Sequence, residues 1–169
     1  KQYFDQNSLA LWNGALAPNT APSFVILDNT VDILEDAGKQ TITGFASNIQ
    51  NGDPGNPTEA SQTLSFIVTY DNPSLFAAGS QNKPQIDASG TLTFQTALDQ
   101  YGTSRVTVVL KDSGGTLDGG VDTSATQTFT ITVAPVNDAP TFSLQSNITA
   151  LEDAGMVLTS NVAFNLSKG

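Results

Sequence analysis

The sequence contains neither cysteine nor histidine in its 169 residues. Without them the chain has no thiolate nucleophile, no imidazole to serve as general base near neutral pH or to orient a serine, and none of the common zinc ligand sets. Positive charge is scarce as well: 6 Lys and Arg stand against 16 Asp and Glu, a net charge of −10. Phosphate backbones are bound through Lys and Arg, so nucleic acid is excluded as a natural partner, and anionic lipid is repelled in the same way. No apolar run approaches the roughly 18 residues of a membrane-spanning helix, so membrane insertion of this segment is not expected. No charged-then-apolar leader follows Lys1, as expected of a mature or excised piece.

What the chain does have is uncharged polarity. Only 13% of residues are charged, while Thr, Ser, Asn and Gln make up 60 of the 169. Hydrophobic residues account for 38% and are spread along the chain. A chain of this size with that content can bury a core, and disorder is not expected.

An internal repeat organises the rest. Residues 21–38 read APSFVILDNTVDILEDAG and residues 139–155 read APTFSLQSNITALEDAG, which match after one gap. From Leu34 and Leu151 onward the offset is a constant 117, so that Asn48 falls on Asn165 and Gly52 on Gly169. Residues 20–138 are read as one complete unit and residues 139–169 as the first two strands of a second. Residues 1–19 correspond to neither and read as a leader or the tail of a preceding domain.

Within the unit, apolar and polar residues alternate as in half-buried antiparallel strands. Strands are expected over residues 23–27, 30–34, 41–46, 61–70, 91–96, 103–111 and 126–133, with Gly, Pro and Asn clusters between them. Helical periodicity is nowhere competitive. About seven strands at this spacing predict an all-β, Greek-key β-sandwich.

The stretches ILEDAG, QTLSF, SGTLTF, DSGGTLDGGVDTSATQTFTITV and PVNDAPTF occur in this order between residues 20 and 169. Together they resemble the tandem cadherin-like or immunoglobulin-like repeats of very large bacterial surface proteins and adhesins. The resemblance implies a cadherin-like sandwich, an extracellular location on the bacterial cell surface, and a non-enzymatic role in cell adhesion or in a surface filament. It also implies calcium at the end of the sandwich. Asn137 and Asp138 match the central pair of a cadherin-type linker, Glu35 lies where a first-strand glutamate would, and Asp99 belongs to an L-D-R-E-like element. Pro135, Tyr101 and Ala139 replace other residues of those motifs, which leaves one site rather than three. Calcium wants six to eight hard oxygens, so such a site needs carboxylates and carbonyls from several loops.

Two further features carry chemistry. The loop 112–122 holds Asp112, Asp118 and Asp122 among four glycines, and it reads as a solvated hairpin more than as a cation site, since its spacing is not that of an EF-hand. Pairs of carboxylates invite a glycosidase reading, but no aromatic cluster marks a sugar cleft beside one, and no enzyme is expected. The tails carry apolar residues that a neighbouring copy of the chain would cover: Leu9, Leu11 and Trp12 at one end, and Phe142, Leu144, Val162, Phe164 and Leu166 at the other. Strand addition between such tails would join copies head to tail. The alternative is a carbohydrate-binding or spacer module of a surface-attached enzyme, which needs an exposed aromatic platform. Tyr70, Tyr101 and Trp12 are its candidates, and the partner would be a surface glycan or a protein receptor.

Overall fold

The computed structural model describes residues 11–12, 15–145, 147–160 and 162–167. Its strands are β1 (Leu11–Trp12), β2 (Ala15–Leu16), β3 (Ser23–Ile26), β4 (Thr30–Leu34), β5 (Lys39–Ile42), β6 (Ala46–Gln50), β7 (Leu64–Tyr70), β8 (Gln85–Ile86), β9 (Leu92–Gln95), β10 (Gly102–Asp112), β11 (Gln127–Ala134), β12 (Thr141–Leu144) and β13 (Ala163–Ser167). One helical turn, α1 (Pro57–Ala60), follows an Asn56 cap that accepts from the Thr58 N–H. No helix among the described residues is long and apolar enough to cross a membrane. The chain divides into two units, Lys1–Pro135 and Val136–Gly169.

The first unit is an all-β sandwich. One layer has the order β4-β11-β10-β7, and the other consists of β5-β9-β8 and the pair β3-β6. The long strand β10 explains why the first layer forms. It pairs antiparallel with β11 on one side and β7 on the other, so that Val106 faces Phe129 and Tyr70. Its burial alternates strictly, with Ser104, Val106, Val108, Leu110 and Asp112 inward. Aromatic rings join the layers edge to face: Phe24 of β3 meets Phe66 of β7 at 5.1 Å between centroids, and Phe45 meets Phe129 of β11 at 4.6 Å. Burying each such side chain stabilises the fold by about 1.5–3 kcal/mol.

Three details depart from the sequence expectation. The stretch 41–46 is not one strand: the chain turns at residues 43–45, and the two halves go to different partners, β5 to β9 and β6 to β3. Residues 61–63 do not extend β7, because Gln62 N–H bonds the Glu59 carbonyl and closes the α1 turn instead. One pairing is parallel, β4 with β11, from Thr30 opposite Thr130 to Leu34 opposite Ala134. The first unit also contains the two-residue hairpin pair β1 and β2, with Leu11 opposite Leu16.

The second unit holds β12 paired antiparallel with β13, and the pairing reproduces that of β3 with β6. Ser23 faces Gln50, Val25 faces Ser47 and Ile26 faces Ala46; Thr141 faces Ser167, Ser143 faces Phe164 and Leu144 faces Ala163. Both ladders shift register at the same place, after Ser23 and after Thr141. Left-handed backbone recurs too, at Asp36 and Asp153 and at Gly38 and Gly155. No ladder forms at the counterparts of β4 and β5. Those strands pair with β11 and β9 in the first unit, and residues equivalent to β11 and β9 do not follow within the 169 residues.

Candidate functional site

Of the first-unit residues expected to bind calcium, Glu35 stands outside the carboxylate group that includes Asp99. Glu35 follows β4 and is 6% exposed, and its N–H bonds the Ala134 carbonyl at 2.9 Å. The chain turns here, and the next residue, Asp36, is exposed. It is Asp36 that stands with Asp99: the Asp99 N–H donates to Asp36 Oδ1 at 3.3 Å, and the two carboxylates have oxygens within 4.8 Å of each other. Both residues hold left-handed backbone, φ 60° and 55°. The sequence reading named Glu35 and missed Asp36, although the repeated E-D-A-G contains both. Asn137 and Asp138 belong to the second unit, where the Asn137 side-chain amide donates to the Asp138 carbonyl at 3.3 Å. Within the first unit Asp36 and Asp99 bring two carboxylates together, and two alone fall short of the six to eight oxygens of calcium.

At the other end of the sandwich the loop 112–122 is a hairpin, closed by the Asp112 N–H on the Asp122 carbonyl at 3.0 Å, with most of its residues exposed. It wraps the side chain of Asn19. The Asn19 amide nitrogen lies 2.9 Å from Asp112 Oδ1, 3.2 Å from the Gly115 carbonyl and 2.8 Å from the Val121 carbonyl. Its oxygen accepts from Gln62 Nε2 at 2.8 Å. Gly114 is required here, since a Cβ on it would stand 2.2 Å from Asn19 Oδ1 and 2.5 Å from Gln62 Nε2. The next residue, Thr20, engages a second buried acid. Glu59, 1% exposed, accepts from the Thr20 N–H at 2.7 Å, from the Thr20 hydroxyl at 2.6 Å and from the Asp53 N–H. Two consecutive residues thus tie the start of the unit to two buried carboxylates.

Two acids, exposed Asp87 and half-buried Asp122, are held ionised. The Ser89 hydroxyl, with backbone N–H groups of Thr91 and Ser89, keeps the Asp87 carboxyl below its usual range. The Thr123 hydroxyl and the Lys111 ammonium do the same for Asp122, and Lys111 Nζ lies 3.1 Å from Asp122 Oδ2.

The expected interface residues divide by position. Leu9 lies outside the described residues, and Leu11 and Trp12 form the strand β1. In the second unit Phe142 is 62% exposed, Leu144 60% and Leu166 75%, with Phe164 exposed and Val162 half-buried. Their first-unit counterparts Phe24 and Ile26 are 5% and 8% exposed. The aromatic candidates also divide: Tyr101 is exposed, whereas Tyr70 packs edge to face on Phe76 at 5.4 Å. Beside Tyr70, an open groove of about 280 Å³ is lined by Thr69, Asp71, Arg105 and Thr107.

No protein-family model matches this chain, and no curated protein matches it.

Proposed function

We propose that this chain is a non-enzymatic structural repeat module of an extracellular bacterial adhesin or surface filament, joined to its neighbours in tandem or head to tail by strand addition. One observation carries the reading. β12 and β13 adopt the register and bulge of β3 and β6, with left-handed Asn165 where β6 has Asn48, yet expose Phe142 and Leu144 where β3 buries Phe24 and Ile26. A strand pair that keeps the geometry of a sandwich without its facing layer is marginal alone and is stabilised by whatever supplies that layer. The occupant is the remainder of a second repeat or the strands of another copy. Calcium belongs to the same reading: the Asp36–Asp99 pair adds Asp36 to the set implied by the resemblance, Glu35, Asp99, Asn137 and Asp138.

Sizing chromatography with light scattering tests the head-to-tail form. Concentration-dependent polymers that disappear in a Phe142→Asp, Leu144→Asp variant support it, and a monomer at every concentration removes it. For the tandem form, residues 20–138 are concatenated in two and four copies and measured by small-angle scattering. Maximum dimension should grow in proportion to copy number, and a collapsed particle would remove this form as well.

The second reading, a carbohydrate-binding module, is favoured by exposed Tyr101 and by the groove beside Tyr70. Saturable binding on a glycan array, lost in Tyr101→Ala or Arg105→Ala, would establish it.

A further inference from the structure

We propose that the open groove beside Tyr70 takes an acidic sugar, a uronic-acid residue of a sparsely charged glycan, and that Arg105 holds its carboxylate. The site rests on the carbohydrate-binding reading and gives its ligand a chemical class.

The groove opens on the outer face of the layer β4-β11-β10-β7. Arg105 and Thr107 alternate with the buried Ser104, Val106 and Val108, so both lie on the outward parity of β10. Thr107 stands opposite Thr69 of β7 on one side and opposite Thr128 of β11 on the other, and Arg105 stands opposite Thr130. Side chains paired in this way have Cβ atoms about 4.5–5.5 Å apart. One guanidinium is thus set among threonines of three strands. A threonine hydroxyl both donates and accepts a hydrogen bond and carries no charge, which matches it to the hydroxyls of a sugar.

Charge selects among sugars. Arg105 is exposed, and among the described residues it forms no ion pair. A carboxylate lies close by, since Asp71 lines the same groove. Asp71 Oδ1 is taken by other donors, the Arg105 backbone N–H at 2.8 Å and the Ser104 hydroxyl at 3.3 Å. The guanidinium therefore keeps its donors for a ligand, and its planar fork fits a carboxylate bidentately. Asp71 retains an oxygen that can accept from a ligand hydroxyl. A chain of net charge −10 repels a densely charged polymer at long range, so a single cation in the groove suits a ligand with one isolated negative group. The groove, about 280 Å³, is at the small end of the usual range of about 300–1,000 Å³ for ligand clefts. It accommodates one ring, and its open side lets that ring belong to a longer chain.

Isothermal titration of the 169-residue chain with a short oligogalacturonate tests the proposal, with the methyl-esterified oligosaccharide as the uncharged control. The acid form should bind saturably, and affinity should fall at least about tenfold on esterification or in Arg105→Ala, because each removes the charge-assisted pair. Arg105→Ala should keep the fold, since the bond to Asp71 is made by the backbone N–H and the side chain is exposed. Thr107→Val should weaken binding by about threefold through loss of one hydroxyl. Acetate at the same concentration should not compete, and added salt should weaken the complex. Equal binding of acid and ester overturns the proposal, as does binding that Arg105→Ala spares and Tyr101→Ala removes; both outcomes leave the carbohydrate-binding reading standing. Full competition by acetate overturns it in favour of a simple anion site. A glycan array without a saturable ligand overturns the proposal and that reading together.

Discussion

Asn48 and Asn165 stand 117 positions apart and share the same left-handed backbone, with φ of 49° and 53°. Each lies in the second strand of an equivalent pair, and each is exposed. Asparagine tolerates this conformation and β-branched residues do not. Asn48→Val is expected to destabilise the first unit by about 1–2 kcal/mol, and Asn48→Gly to be close to neutral. Urea unfolding of the two variants measures the difference. An Asn48→Val variant as stable as the parent would mean that the backbone relaxes there at no cost.

Phe24 and Phe142 are equivalent in sequence and opposite in surroundings. Phe24→Ala removes a ring held against Phe66 and should cost about 3–5 kcal/mol. Phe142→Ala at an exposed site should change the stability of the monomer by less than about 0.5 kcal/mol. Denaturant titration at low concentration checks both, and similar losses at the two positions would contradict the burial contrast.

Gly90 lies flat on β6. A Cβ there would stand 2.0 Å from the Ala46 carbonyl oxygen, and its φ is +82°. The neighbouring atom is backbone, so it cannot swing aside. Gly90→Ala is expected to destabilise the first unit by about 2 kcal/mol or more, which thermal or urea unfolding will read. A neutral result would show that β6 and the 87–91 turn can separate freely.

Asp87 and Asp122 give stability a direction with pH. Each carboxyl is depressed in the folded state, so each favours folding at pH values above the ordinary carboxylate pKa of about 4. That contribution is lost as pH falls from about 4 through the lower folded values. Asp87→Asn and Asp122→Asn should each flatten the stability profile below about pH 4 while leaving its shape at pH 6–8 unchanged. Lys111 of the Lys111–Asp122 pair reaches the solvent, so added salt should shrink the Asp122 effect.

Much of the first unit was legible because its longest strands alternate cleanly. Val106, Val108 and Leu110 declared the inward face of β10, and Phe129, Ile131 and Val133 that of β11. The two-residue β8 was not legible, since two residues carry no period. The parallel pairing of β4 was hidden because alternation says which face is buried and not which strand lies alongside. The cluster at Asn19 was missed for a different reason. Asp112 has the parity of Leu110 and continues the inward row by one position, but an aspartate beside Ser113, Gly114 and Gly115 also reads as the start of a polar loop. Glu59 carried no such signal: its burial depends on the turn that α1 makes and on Thr20, 39 positions away. Carboxylate pairing at the other end falls to Asp36 because the chain turns just past β4 with Asp36 at φ 60°, a turn that the alternation of β4 does not announce.

The parallel ladder of β4 and β11 has a mechanical consequence. One of these strands opens at Thr30, soon after the unit starts, and the other closes at Ala134, where it ends. Tension applied through the two extremities would draw the strands past each other along their length, loading the hydrogen bonds of five residue pairs together instead of peeling them one at a time. Such a unit should resist stretching along its chain far better than pulling applied across the same sheet, a contrast that single-molecule force spectroscopy with two attachment geometries can measure; equal rupture forces would show that this ladder does not bear the strain.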